Sequence, residues 1–218
     1  MMHWFRKRKR KDDFRPSVSS DMGPDEFSRV YDLTFQHRER VLPQAFKLDF
    51  WEDTPLVRFP LERGLLRNDI LDMGCGSGEV DIIFGLRGYR VCGVDIYPYA
   101  IEIAERHLRG HEGLAGSVRF VMGNIEEIDL KERFNTALIY HTLEHVMNPH
   151  RALAQTIRHL NPGARIIVEV PYRKAYRDRT HLRTFSPGSL RKLLTGFSDS
   201  VEVTHLKERR TIFGVAQV

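Results

Sequence analysis

Between Asp69 and Glu79 the chain reads D-I-L-D-M-G-C-G-S-G-E, and few backbones satisfy such a string. The apolar pair Ile70 and Leu71 ends in an acid, Asp72. Gly74, Gly76 and Gly78 then alternate with small or flexible residues before a helix-compatible segment opens at Glu79. A strand leaving a sheet at its carboxyl end must reverse into a helix within a few residues, and glycine supplies the positive φ angles and close backbone approach that this needs. The helix start then offers unpaired N–H groups to a polar ligand. The stretch predicts a buried strand turning tightly into a helix around that ligand.

From Asn68 onward, strand-like and helix-like segments alternate. Strands are expected at 69–73, 90–95, 118–122, 136–140 and 165–170, with helices at 79–87, 98–108 and 149–160 between them. The continuous apolar runs suit strands buried on both faces of a parallel sheet. Ser186 reads as an N-cap with Pro187 at the first helical position. Segments 200–206 and 211–218 alternate as an antiparallel pair. The fold class expected is α/β, a Rossmann-like doubly wound sheet of seven strands with an antiparallel last strand.

Upstream, residues 1–22 carry charge, serines and Pro16 without apolar periodicity and read as a disordered basic arm. Residues 23–66 carry apolar and aromatic side chains at mostly helical intervals, broken by Pro43, Pro55 and Pro60, and read as a helical extension packed on the main domain, 67–218. The net charge of +5 is concentrated. Six positive charges lie in Arg6–Lys11, and taking these from the total leaves −1 for the body. A global nucleic-acid surface is therefore not expected, although the arm could touch nucleic acid or, peripherally, anionic lipid. No apolar run is long enough to span a bilayer, and Asp12, Asp13, Arg15 and Pro16 follow the basic cluster where a signal core would stand. A cytoplasmic protein with reduced, structural Cys75 and Cys92 is expected.

The glycine spacing selects the ligand. Dinucleotide sites prefer G-x-G-x-x-G, whose third glycine would fall at Glu79. Asp72 would also repel a pyrophosphate, but it suits a ligand carrying an ammonium and a sulfonium. S-adenosylmethionine is thus favoured over NAD. D-x-G-C-G-x-G resembles the first motif of the class I S-adenosylmethionine-dependent methyltransferases. G-V-D at Gly93–Asp95, E-H-V-M-N-P-H-R-A-L after Leu143 and N-P-G-A-R-I-I-V-E-V-P from Asn161 continue the likeness to their small-molecule branch, so it covers the chain from Asp69 onward.

On this basis Asp72, Gly74, Gly76 and Gly78 form the cofactor loop, and Asp95 accepts from both ribose hydroxyls. The resemblance implies that Asn124 meets the adenine amine, that Ile96 and Ile125 sandwich the adenine, and that Tyr140 lies at the methionine end. If one helical turn follows strand four, His141, Glu144 and His145 share a face at the carboxyl edge of the sheet. There the resemblance allows two readings. In ubiquinone-biosynthesis O-methyltransferases and small-RNA terminal 2′-O-methyltransferases, E-x-x-E-H with a distant histidine resembles a divalent-metal site. Here His141 replaces the first glutamate, Glu144 and His145 match, and His181 resembles the distant partner. Other relatives carry L-E-H without metal, and this reading is preferred because the first ligand differs. Catalysis would then rest on alignment of the nucleophile with the methyl group, with His141 or His181 as general base.

Arg173, Lys174, Arg177, Arg179 and Arg183, interleaved with Tyr172 and Tyr176, read as a basic lid for a carboxylate or phosphate. The function expected is methyl transfer to a small-molecule or lipid- or glycan-linked acceptor, preferentially at oxygen. An RNA methyltransferase and a catalytically silent cofactor-binding subunit are the rivals.

Overall fold

The computed structural model describes residues 43–172 and 180–218 throughout and scattered positions from 22 to 40. Apart from Met22, the basic arm lies outside the described residues, as do four of the five proposed lid cations.

Five parallel strands form the centre: β1 (Ile70–Met73), β2 (Val91–Asp95), β3 (Val118–Met122), β4 (Phe134–Tyr140) and β5 (Leu160–Pro171). The sheet order is β3-β2-β1-β4-β5-β7-β6, where β6 spans Ser200–Leu206 and β7 spans Thr211–Gln217. β7 inserts between β5 and β6 and runs antiparallel to both, as the two alternating C-terminal segments predict. β5 begins at Leu160, five residues before the expected Arg165. The turn through Asn161–Gly163 stays alongside β4, across a register irregularity between Phe134 and Thr136.

Six described helices cover this sheet: α1 (Leu48–Glu52), α2 (Pro55–Glu62), α3 (Glu79–Leu86), α4 (Pro98–Arg109), α5 (Pro149–Arg158) and α6 (Pro187–Leu194). None is long and apolar enough to cross a membrane. Every side chain of β1 and β2 is buried, so apolar residues are needed on both faces. Leu71, Met73, Val94, Ile139 and Val168 pack with Leu153 of α5 and Leu190 of α6 on one face. Ile70, Leu138 and Phe213 pack with Leu56 of α2 and Ile82 and Phe84 of α3 on the other.

Local signals fix the helix starts. Asn148 Oδ1 accepts from Arg151 N at 3.0 Å ahead of Pro149, and Ser186 forms a reciprocal capping pair with Ser189 ahead of Pro187. Pro60 departs from expectation, because it lies inside α2 and does not end it. Leu56, Val57, Phe59 and Pro60 form the buried face of that helix, and the Phe59 ring stacks on Phe213 at 4.1 Å. Apolar packing of the extension onto β7 outweighs the one missing N–H. The chain order reverses between β1 and β4, which opens the crevice where open α/β sheets receive ligands.

Candidate active site

The glycine loop is held from below. Gly74 and Cys75 donate their N–H groups to Val94 O at 2.7 and 3.0 Å, and Gly76 N–H donates to Asp95 Oδ2 at 2.8 Å. All three motif glycines have positive φ: 101° at Gly74, 54° at Gly76 and 76° at Gly78. At two of them the close approach is made by protein. A Cβ on Gly74 would stand 2.2 Å from Thr142 Oγ1, and one on Gly78 would stand 2.5 Å from the Phe120 ring. Gly74 thus lets the turn after β1 meet the turn after β4, and Gly78 lets α3 settle on β3.

Asp95 ends β2 with its other oxygen accepting from Tyr97 N at 3.0 Å. These two backbone donors orient the carboxylate beside the glycine loop. Ile96 is half-buried beside it, whereas Ile125 is buried in the core cluster with Leu71 and Val94. Asn124 Oδ1 accepts from Glu126 N at 3.0 Å, closing the turn after β3. Met122, which sequence reasoning passed over, is 61% exposed and pairs in register with Asp95 at this edge.

Tyr140 turns its ring towards Phe213, 6.2 Å away and nearly perpendicular, and its buried hydroxyl has no hydrogen-bond partner. Burial drives its pKa well above the usual value, and the neighbouring Asp72, Glu169 and Asp81 act in the same direction.

Beyond Tyr140 the chain makes a single turn, with His145 N and Val146 N both donating to Thr142 O. His141 precedes it in a left-handed conformation, φ 48°, so the shared helical face expected for His141, Glu144 and His145 forms differently. His141 places Nδ1 3.4 Å from Glu144 Oε1 and Nε2 3.2 Å from Glu169 Oε2, between two fully buried carboxylates. His145 Nδ1 lies 3.0 Å from Thr180 O. A carbonyl only accepts, so Nδ1 carries the proton there and Nε2 is left towards Glu144 Oε1, 3.8 Å away.

His181 reaches this group because its segment is stitched to the turn. Leu182 N donates to Glu144 O at 2.9 Å, and the Arg183 guanidinium donates to Leu143 O at 2.7 Å, to Met147 O at 2.9 Å and to Val146 O. The His181 ring then sits 4.7 Å from that of His145. Glu144, His145 and His181 have potential ligand atoms all within 4.8 Å of one another. His141 stands outside that trio, so the structure gathers three of the four residues of the metal pattern.

Arg183 is therefore a clamp within the fold and not part of a lid. Arg183→Leu is expected to lower stability by about 2–3 kcal/mol, because three backbone carbonyls lose a charged donor. Thermal unfolding should show the loss, and proteolysis should begin near Thr180.

The charge states follow from burial and neighbours. Burial pushes Glu144 up, but the adjacent His141 and His145 outweigh it and leave its pKa below the usual value. Glu169, buried and facing Glu144, is raised to about 7 despite His141. Glu169 is a site residue that sequence reasoning missed. Its signal was an acid inside the apolar run R-I-I-V-E-V-P, where an unpaired charge is costly.

Residues 36–198 match the family described as "Methyltransferase domain". The chain belongs to that family. A "Ubiquinone biosynthesis O-methyltransferase" of Bradyrhizobium sp. (strain ORS 278) is 35% identical over 167 residues, covering 72% of this chain and 65% of the relative. Across the curated relatives this methyltransferase domain spans less than two thirds of their own length, and as little as 36%. A glycopeptide N-methyltransferase, MtfA, complexed with sinefungin shares the fold at a TM-score of 0.64 and 14% identity, covering 75% of this chain and 85% of that one. The [4+2]-cyclase SpnF shares it at 0.68 and 20% identity, covering 90% and 79%. An N-methyltransferase and a cyclase on one fold mean that the reaction must be argued from side chains.

Proposed function

We propose that this chain transfers a methyl group from S-adenosylmethionine to an oxygen of a small-molecule or lipid- or glycan-linked acceptor. The observation that carries the cofactor is Asp95, held by two backbone N–H groups at the end of β2 beside the glycine loop. A carboxylate oriented in this way suits a ribose diol, and Asp72 nearby suits the cationic end. Gly74, Gly76 and Gly78 belong to this reading as the loop, with Ile96 and Met122 offering apolar surface to the adenine. The same reading keeps Asn124 at the adenine amine, Ile125 with Ile96 beside the adenine and Tyr140 at the methionine end. The oxygen preference comes from the O-methyltransferase relatives.

When bound, S-adenosylmethionine supplies an electrophilic methyl group; the protein's part is to align the acceptor oxygen with it and take the proton. His181 is the base in this reading. Both His141 nitrogens already face buried carboxylates, and His145 Nδ1 is bonded to Thr180. The division into an arm (1–22), an extension (23–66) and a catalytic domain (67–218) belongs to the same proposal.

A second reading is favoured by one observation: neither oxygen of the fully buried Glu144 has a hydrogen-bond partner. With two histidines beside it, this donor set fits a divalent metal held by Glu144, His145 and His181, with Thr180 O fixing the His145 tautomer. Such a metal would lower the pKa of an acceptor hydroxyl.

Calorimetric titration of the chelator-treated protein with S-adenosylhomocysteine, then with magnesium, manganese and zinc, tests both readings. Cofactor binding in the micromolar range, about −8 kcal/mol, is expected. A metal signal abolished by Glu144→Ala would establish the trio, and no binding of the cofactor would remove the central proposal.

A further inference from the structure

Beneath the glycine loop lie two acids, and the motif accounts for only one. Asp72 is buried near the end of β1, and its Oδ1 has no hydrogen-bond partner. Asp81, in the first turn of α3, has no exposure at all, and its carboxyl lies against Gly93, the register partner of Asp72 on the neighbouring strand. Room for it is made on β2, because a Cβ on Gly93 would stand 2.8 Å from Asp81 Oδ2.

The groups facing the pair are acidic or neutral: Cys75 in the loop, Cys92 and Asp95 on β2, Glu79 on α3 and Tyr140 on β4. Among the described residues no cationic side chain forms an ion pair with either acid. Two ionised carboxylates do not persist side by side in such a place, so the pair holds a proton. Burial raises both, Asp72 to about 7 and Asp81 well above the usual range.

We propose that Asp81 holds the proton of the pair and acts as a positioning residue that keeps Asp72 able to ionise, and that through Asp72 it sets the preference of the site for a sulfonium cofactor over its neutral-sulfur product. The inference rests on the S-adenosylmethionine reading above. With the site empty, Asp72 exchanges a proton with solvent while Asp81 retains its own. The arriving sulfonium favours the Asp72 carboxylate, and the proton leaves to buffer; S-adenosylhomocysteine lacks that charge and displaces less. The ionised form is the binding form, so affinity for S-adenosylmethionine is full above neutral pH. It falls as pH drops through the Asp72 transition, by up to about tenfold per pH unit.

The test is calorimetric titration of the full chain with S-adenosylmethionine and with S-adenosylhomocysteine at slightly acid pH, in buffers of different ionisation enthalpy. Between about one half and one proton should be released per S-adenosylmethionine, and fewer per S-adenosylhomocysteine. Asp81→Ala should lower the ratio of the two affinities at neutral pH about tenfold and move the pH midpoint upward. Asp81→Asn, whose amide can donate to Asp72, should restore both. Equal proton counts for the two ligands in the unaltered protein would overturn the inference without need of any variant, and so would equal weakening of both ligands by the alanine and asparagine variants. Failure of either ligand to bind would instead remove the cofactor reading itself.

Discussion

Gly74→Ala is expected to abolish cofactor binding, lowering affinity for S-adenosylhomocysteine by more than about a hundredfold, and to destabilise the protein by roughly 2–4 kcal/mol. Two effects add. A side chain at φ 101° is strained whatever surrounds it, and its Cβ would stand 2.2 Å from Thr142 Oγ1 and 2.7 Å from Thr142 Cγ2. Relief would push the turn after β1 away from the turn after β4, which separates Asp72 and Gly76 from Tyr140. Gly88→Ala provides the control, since its φ is 88° but nothing lies within 4 Å of the new Cβ. It should lose only the backbone term, about 1 kcal/mol, and keep cofactor affinity. Thr142→Ala combined with Gly74→Ala should recover part of the loss, because the two residues are in contact and their effects do not add. Wild-type affinity in the single Gly74→Ala variant would refute this account of the loop.

His181→Ala is expected to reduce methyl transfer by about 10²–10⁴-fold while leaving S-adenosylhomocysteine affinity within a factor of two. The imidazole is proposed as the proton acceptor for the acceptor hydroxyl, and it is not among the groups assigned to the cofactor. His141→Ala should behave differently. It leaves the buried Glu144 and Glu169 without the ring that stands between them, so its main effect should be on stability. Single-turnover transfer with saturating cofactor, alongside thermal unfolding of both variants, separates the two roles. Full turnover in His181→Ala would return the proton to another group.

Asp95 and His141 contrast in how much of each could be read from the chain. Asp95 ends a short apolar strand at fixed distance from the glycine loop, so parallel pairing of adjacent strands carries it to the loop whatever the rest of the fold does. His141, Glu144 and His145 looked like one helical face, because spacing reports neighbours only when the backbone is helical. A single left-handed residue at His141 turned its ring towards Glu169, a partner 28 positions away on the next strand. Arg183 looked like a cation for a substrate because it sits in a basic segment. Its donors are instead absorbed by carbonyls of a turn 36 to 40 residues earlier.

By itself the sequence determined the seven strands and their helices, the cap at Ser186, and the strand-to-helix turn with its acid, since these depend on apolar periodicity and local backbone chemistry within a few residues. Tertiary structure alone decided that Gly74 and Gly78 yield space to Thr142 and Phe120, that Pro60 sits within a helix, that Glu169 joins His141, and that Asp81 lies near Asp72. The physical reason is common to all of them. Each depends on which distant side chains share a buried volume of low dielectric, where one contact or one proton outweighs local preference.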